Sequence, residues 1–330
     1  MAVLRLRTID AHAEGQPLRL IVEGFPRLPG RTMRRKRDWA RRRHDRLRAA
    51  LMLEPRGHFD MYGALLTEPV TPGADAGVLF MHNDGWSAMR GHDIIAVVTI
   101  ALERGLIALP PGRTSLVLDT LTGPVRVRFE LEGDRVARVA FTGRPAFVLQ
   151  PGLVVRLGSR LVRVDVAFGG AFHAVVDGES VGLPFARLDQ LRHAGMEIMA
   201  AVEEAIDVVH PLEPEVAGLE GTVFTGVGGL GAHLSTVTVF GYKQVDRSPG
   251  GTATCALMAV LDAMGLLPRD EPFVCGSSIA TQFRGRVLER AQVGGYPAIV
   301  PEIEGSAWIT GEHTFIVDDE DPFEHGFRLG

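Results

Sequence analysis

Two cysteines in 330 residues, Cys255 and Cys275, are too few for a disulfide framework, and a reducing cytoplasm is the expected home. No apolar run reaches the roughly 20 residues that a membrane span needs. The opening Met1-Ala-Val-Leu-Arg-Leu-Arg7 lacks the apolar core of a signal peptide. A formal net charge of −5 gives no global attraction to nucleic acid or to an anionic membrane. The 11 histidines form no HExxH and no close pairing with the cysteines, so no structural metal is expected. No nucleotide or organic cofactor is signalled either. Nothing suggests disorder, since 46% of the residues are hydrophobic and 23% charged.

Glycine and proline are abundant, 39 and 20 residues, which predicts many tight turns as in a β-rich or α/β chain. The length suits one large domain or two of ordinary size. Residues 2–9 alternate as a strand, with Leu18–Glu23 its expected hairpin partner. Arg31 to Arg48 holds ten Lys or Arg against Asp38 and Asp45 and reads as a helix with a solvated basic face. Thr114–Thr120, Pro124–Leu131 and Arg135–Phe141 read as a meander. Pro151-Gly152 is the expected boundary between a first lobe, 1–150, and a second, 151–304, and the first lobe has a claim on the C-terminal stretch of about 305–330. Strand and helix do not alternate as in a doubly wound sheet, so the expected class is α+β.

Two stretches organise this pattern. Asp84-Gly-Trp-Ser-Ala-Met-Arg-Gly-His92 precedes a helix of about 92–104, and Asp246-Arg-Ser-Pro-Gly-Gly-Thr252 precedes one of about 252–264. Both helices are apolar on every side over most of their length, so both should be buried. A polar, glycine-containing segment at the head of a buried helix suits an anion, because the first N–H groups and the macrodipole point there.

Two shorter patterns fail their structural context. Gly226-Val-Gly-Gly-Leu-Gly231 matches a dinucleotide fingerprint, but the residues after it read as a strand instead of the helix the phosphate needs. Gly178-Glu-Ser-Val-Gly182 matches a nucleophile elbow, but Leu183-Pro184 delays the helix. Cys255, one turn inside an apolar helix, reads as core packing.

The two helix-heading stretches resemble the signature motifs of the proline racemase family, whose members include proline racemases, hydroxyproline epimerases and trans-3-hydroxy-L-proline dehydratases. Further likeness follows in family order: Ile9-Asp-Ala-His-Ala-Glu-Gly-Gln-Pro17, Leu53-Glu-Pro-Arg-Gly-His58, Val166-Ala-Phe-Gly-Gly-Ala-Phe172, Phe283-Arg-Gly-Arg286, Ile309-Thr-Gly311 and Asp321-Pro-Phe323. Asp60-Met-Tyr-Gly63 with His82-Asn83 looks most like the dehydratase branch. The resemblance implies a diaminopimelate-epimerase-like fold, two similar lobes each a curled sheet around a central helix, with the ligand between them. It implies a homodimer, a proline-like small-molecule ligand and cofactor-independent chemistry. Gly91, His92, Gly251 and Thr252 should hold the substrate carboxylate, and Asp246 the ring ammonium.

The resemblance also marks a departure. The family's first motif reads Met-Cys-Gly-His, its cysteine a thiolate base at the substrate Cα. Its second reads Asp-Arg-Ser-Pro-Cys/Thr-Gly-Thr, with cysteine the opposing acid/base and threonine in the dehydratases. Here Arg90 and Gly250 stand at those two catalytic positions. Glycine has no side chain to titrate, and arginine stays protonated to a pKa above about 12. Two-base racemisation or epimerisation by the family route is therefore not expected. A dehydratase would need another base, for which His92, Asp84, Asp246 or a water are the candidates. His92 has the best intrinsic pKa. The competing expectation is an inactive or repurposed relative that binds small carboxylates.

Overall fold

The structure is a computed structural model that describes residues 3–87, 91–241, 243–268 and 271–328. It is α+β, mostly strand. In chain order the elements are β1 (Val3–Ala13), β2 (Gln16–Glu23), α1 (Met33–Met52), β3 (Tyr62–Thr67), β4 (Ala76–His82), β5 (Gly85–Ser87), α2 (Gly91–Glu103), β6 (Ser115–Thr120), β7 (Gly123–Glu132) and β8 (Arg135–Thr142). There follow β9 (Ala146–Leu157), β10 (Arg160–Phe168), β11 (Phe172–Asp177), α3 (Gly178–Val181), α4 (Leu188–Ala205), β12 (Val209–His210), β13 (Glu213–Ala217), β14 (Leu219–Val227), β15 (Leu234–Phe240), α5 (Gly251–Ala263), β16 (Phe273–Ser277), β17 (Gln282–Val293), β18 (Tyr296–Gly305) and β19 (Ala307–Asp318).

The chain divides into two compact units, residues 1–141 with 306–330, and residues 142–305. Pro151-Gly152 lies inside β9. In the first unit the strands run β19, β1, β2, β3, β4, β6, β7, β8 by successive pairing, with β5 beside β4. The joins β2–β3 and β4–β6 are parallel and the others antiparallel. The parallel joins are where the chain must cross over, and α1 and α2 are the crossovers. In the second unit β9, β10, β11, β14, β15, β16, β17 and β18 pair in succession, and β18 returns to β9. That ring has no free edge.

One helix fills each unit. α2 lies against β1, β2, β3 and β19, and α5 against β9, β10, β11, β17 and β18. Gly91 to Ala101 of α2 and Gly251 to Val260 of α5 are buried without interruption. Five of the first ten residues of α2, Ile94, Ile95, Val97, Val98 and Ile100, are β-branched aliphatics, which favour strands in isolation. Burial on every side overrides that preference. Both helices end alike. Gly105 (φ +62) and Gly265 (φ +72) take the left-handed conformation. In α2, Leu106 N donates to Ala101 O (2.8 Å) and Gly105 N to Leu102 O (3.2 Å); in α5, Leu266 N donates to Leu261 O (2.8 Å) and Gly265 N to Asp262 O (3.0 Å). This is the same Schellman stop twice.

α1 carries the basic stretch. Thr32 caps it, accepting from Arg35 N at 3.1 Å, and the helix kinks at His44. Met33, Ala40, Leu47, Ala50, Leu51 and Met52 join the core of the first unit. Most of the arginines are exposed as expected, but Lys36 and Arg48 are buried. Among the described residues no helix is long and apolar enough to cross a membrane.

Candidate active site

The segment leading to α2 is held from below by side chains of α1. Arg48 donates from Nη1 to His82 O and Asn83 O, both at 2.8 Å, and pairs with Asp45 at 2.8 Å. Asp45 also accepts from Trp86 Nε1 at 2.9 Å. The hydrogen bond from Arg48, with its charge, holds the Asp45 carboxyl below the usual carboxylate range against the opposing effect of burial. Asn83 ties three pieces of chain together, donating to Met52 O (2.6 Å) and His58 O (3.0 Å) and accepting from Met61 N (3.0 Å). Asp84, an expected substitute base, forms an ion pair with Arg328 near the C-terminus. Met89 and Arg90 lie outside the described residues.

At the head of α2, Gly91, His92 and Asp93 are all buried. The His92 ring and the Tyr62 ring of β3 meet in a T-shaped contact, with centroids 5.7 Å apart at 78°. Its Nε2 lies 3.2 Å from Asp93 Oδ1.

At the head of α5, Asp246 is 1% exposed, and its Oδ1 accepts from Ser248 N (2.9 Å) and Ser248 Oγ (2.7 Å). Ser248 Oγ in turn accepts from Gly250 N at 3.1 Å. The Asp-x-Ser-x-Gly order thus folds into a turn that fixes the carboxylate just ahead of the helix. Gly250 is the N-cap, with φ +80, and has no side chain of its own to cap the helix. A Cβ at Gly250 would stand 2.9 Å from Ala253 Cβ and 3.3 Å from Asp246 Oδ2. The position is therefore shaped for glycine. The Gly169-Gly170 turn packs on the same helix end: a Cβ at Gly169 would lie 2.2 Å from Thr252 O.

The remaining sequence candidates are placed elsewhere. Desolvation pushes the Cys275 thiol up to about 11 and the Cys255 thiol higher still, so neither supplies a thiolate near neutrality. Ser180 sits in the one-turn α3 and donates to Asp177 O at 2.6 Å. Of the Gly226 to Gly231 stretch, Gly226 and Val227 end β14, and the residues after them lead into the strand β15. Among the described residues no group of three or more His, Cys, Asp or Glu could hold a metal. A cavity of about 620 Å³ in the first unit is lined by Phe25, Lys36, Glu68 and Asp75 among others, and by none of the motif residues.

Sequence reasoning missed Arg48, Arg328 and Asp93. Arg48 is one arginine among many on a basic helix, and only its i, i+3 partner Asp45 sets it apart. Arg328 lies 244 residues from its partner, a distance over which no spacing rule operates.

A sequence profile of the proline racemase family matches residues 8–328. The chain belongs to the proline racemase family. Relatives within it carry different activities. A trans-3-hydroxy-L-proline dehydratase of Bacillus cereus is 41% identical over 326 residues, 98% of each chain. A 3-hydroxyproline 2-epimerase of Burkholderia multivorans is 40% identical over 328 residues, again 98% of each. A proline racemase of Clostridioides difficile is 36% identical over the same share. Among solved structures, a hydroxyproline epimerase of Agrobacterium vitis with bound trans-4-hydroxy-L-proline superposes with a TM-score of 0.89 at 31% identity, covering 98% of this chain and 95% of that one. A phenazine biosynthesis protein of the PhzF family from Bacillus anthracis shares only the fold, at a TM-score of 0.59 and 12% identity over 96% of this chain and 99% of that one. The diaminopimelate-epimerase-like α+β fold implied by the motifs is the family's fold and the fold of this chain.

Proposed function

We propose that this family member takes a proline-like cyclic amino acid, its carboxylate on Gly91, His92, Gly251 and Thr252 and its ring ammonium on Asp246. The observation that carries this reading is the head of α5. A buried carboxylate is fixed there by Ser248, beside a helix whose N-cap, Gly250, has no side chain to cap it. The N-terminal end of a helix suits an anion, and the carboxylate next to it suits the adjacent ammonium of an amino acid. Relatives at about 40% identity named for trans-3-hydroxy-L-proline support the ligand class.

The reaction favoured is dehydration of trans-3-hydroxy-L-proline. A base removes the Cα proton, the 3-hydroxyl leaves as water, and the resulting enamine tautomerises to Δ1-pyrroline-2-carboxylate. His92 is the base of choice, because an imidazole titrates near neutrality. Family-style two-base racemisation is not part of the proposal, since Arg90 and Gly250 offer no proton acceptor. A second reading, a relative that binds without turnover, is favoured by the tight fit around Gly250.

Incubation with trans-3-hydroxy-L-proline in D2O tests both readings. Pyrroline product carrying solvent deuterium at C3, taken up when the enamine tautomerises, supports the lyase, and binding with neither product nor exchange supports the second reading. No binding of any cyclic amino acid would sink both. Arg90→Cys is expected to raise dehydration by at least about tenfold, the lower end of what one positioned acid/base contributes being larger still. An unchanged rate in a folded variant would show that Arg90 does not occupy the family's base position.

A further inference from the structure

Thr238 lies on β15 and is 0% exposed. Its backbone carbonyl accepts from Asp246 N at 3.0 Å, which sets the strand beside the turn that heads α5. Residues two apart on a strand share a face. Thr236, two residues earlier, donates its hydroxyl to Pro249 O of that turn at 3.2 Å, so Thr238 faces the turn as well. A Cβ at Gly250 would stand 3.5 Å from Thr238 Oγ1. Other buried threonines nearby are satisfied: Thr254 donates to Gly250 O at 2.6 Å and Thr222 to Gly195 O at 2.8 Å. Among the described residues Thr238 Oγ1 is buried and makes no hydrogen bond. An unpaired buried hydroxyl lowers stability. Valine has nearly the same shape and the same preference for strands without that cost. The fold therefore gives no reason for the hydroxyl.

We propose that Thr238 is a specificity-determining residue whose hydroxyl donates a hydrogen bond to a hydroxyl on C3 of the bound ring. This rests on the function proposed above. With the ammonium on Asp246 and the carboxylate at the first residues of α5, the carbon that bears both groups lies beside position 250. C3 is the next ring carbon, and in trans-3-hydroxy-L-proline it carries the hydroxyl. Gly250 brings no side chain to this point, so the hydroxyl of Thr238, on the neighbouring strand, is the side-chain donor that faces it. Its burial makes the recognition selective, because a hydrogen bond shielded from water discriminates between a ligand that can accept it and one that cannot.

Thr238→Val in the full-length chain removes the hydroxyl and keeps the shape. Without ligand its urea midpoint should rise, because an unpaired buried hydroxyl has been removed. By calorimetry its affinity for trans-3-hydroxy-L-proline should fall about tenfold, the worth of one such hydrogen bond, while its affinity for L-proline stays at the wild-type value. Thr238→Ser, which keeps the hydroxyl, should keep the preference for the hydroxylated ring. A lowered midpoint or a failure of Thr238→Val to fold would overturn the proposal, since either would show that the hydroxyl already has a partner within the fold. Equal losses for both ligands, which a packing role would give, would overturn it as well. So would a loss confined to trans-4-hydroxy-L-proline. If wild type binds both rings and Thr238→Val changes neither affinity, the assignment of Thr238 fails and the function proposed above stands. If wild type binds no cyclic amino acid, that function fails and takes the assignment with it.

Discussion

Gly250 shows what one residue does to the head of α5. Its left-handed φ of +80 and the 2.9 Å approach of Ala253 Cβ leave no strain-free place for a side chain. Gly250→Thr, which restores the dehydratase-type residue, is therefore expected to lower stability by about 2 kcal/mol and to leave dehydration unimproved. Urea midpoints and product formation check the two halves of that statement, and a stable, more active variant would contradict both. The identity of the glycine was legible in the sequence, but its conformation was not. A motif states which residue stands at a position; the backbone angle depends on Asp246, Ser248 and the packing of Ala253. Arg48 makes a similar point from the other side. Its charge belongs to a basic stretch that reads as solvated, yet its Nη1 holds the two carbonyls that aim the chain toward α2.

At the scale of elements the reading was more complete. Two all-apolar runs headed by polar glycine segments marked α2 and α5, because a helix without a polar face has nowhere to lie except inside. The residues after Gly231 marked a strand through their alternation, which disposed of the dinucleotide fingerprint. The short α3 directly after β11 was missed, since a single turn capped by Asp177 leaves no periodicity to read. The two Schellman stops permit a matched experiment. A Cβ at Gly105 or Gly265 would meet nothing within 4 Å, so an alanine there would meet only the left-handed backbone penalty. Gly105→Ala and Gly265→Ala should each lower stability by about 1 kcal/mol. Denaturant midpoints shifted by much more in one helix than in the other would show that the two ends are not equivalent.

For the molecule as a whole, acid is the expected weakness. Desolvation holds the imidazoles of His12, His44 and His210 below the ordinary value of 6.5. The unfolded chain then takes up protons first, and stability falls as the pH drops through about 6.5. Asp45 acts later and in the same direction. Its carboxyl is held low by Arg48, so the stability it contributes is present above the ordinary 3.8 and is lost below it. Urea midpoints should decline between pH 7.5 and 5.5 and again below pH 4, and a flat profile across the first interval would refute the histidine part.

β19 pairs with β1 along its whole length, from Val3 against Asp318 to Ala13 against Ala307. The consequence lies in the order of synthesis. All eight strands of the closed ring, residues 146–305, are made before β19 exists. β1 leaves the ribosome before any strand of the ring, yet its unit is completed only with β19. Until β19 arrives, β1 has β2 on one side and an unpaired row of backbone groups on the other, while the ring strands made between them can already close.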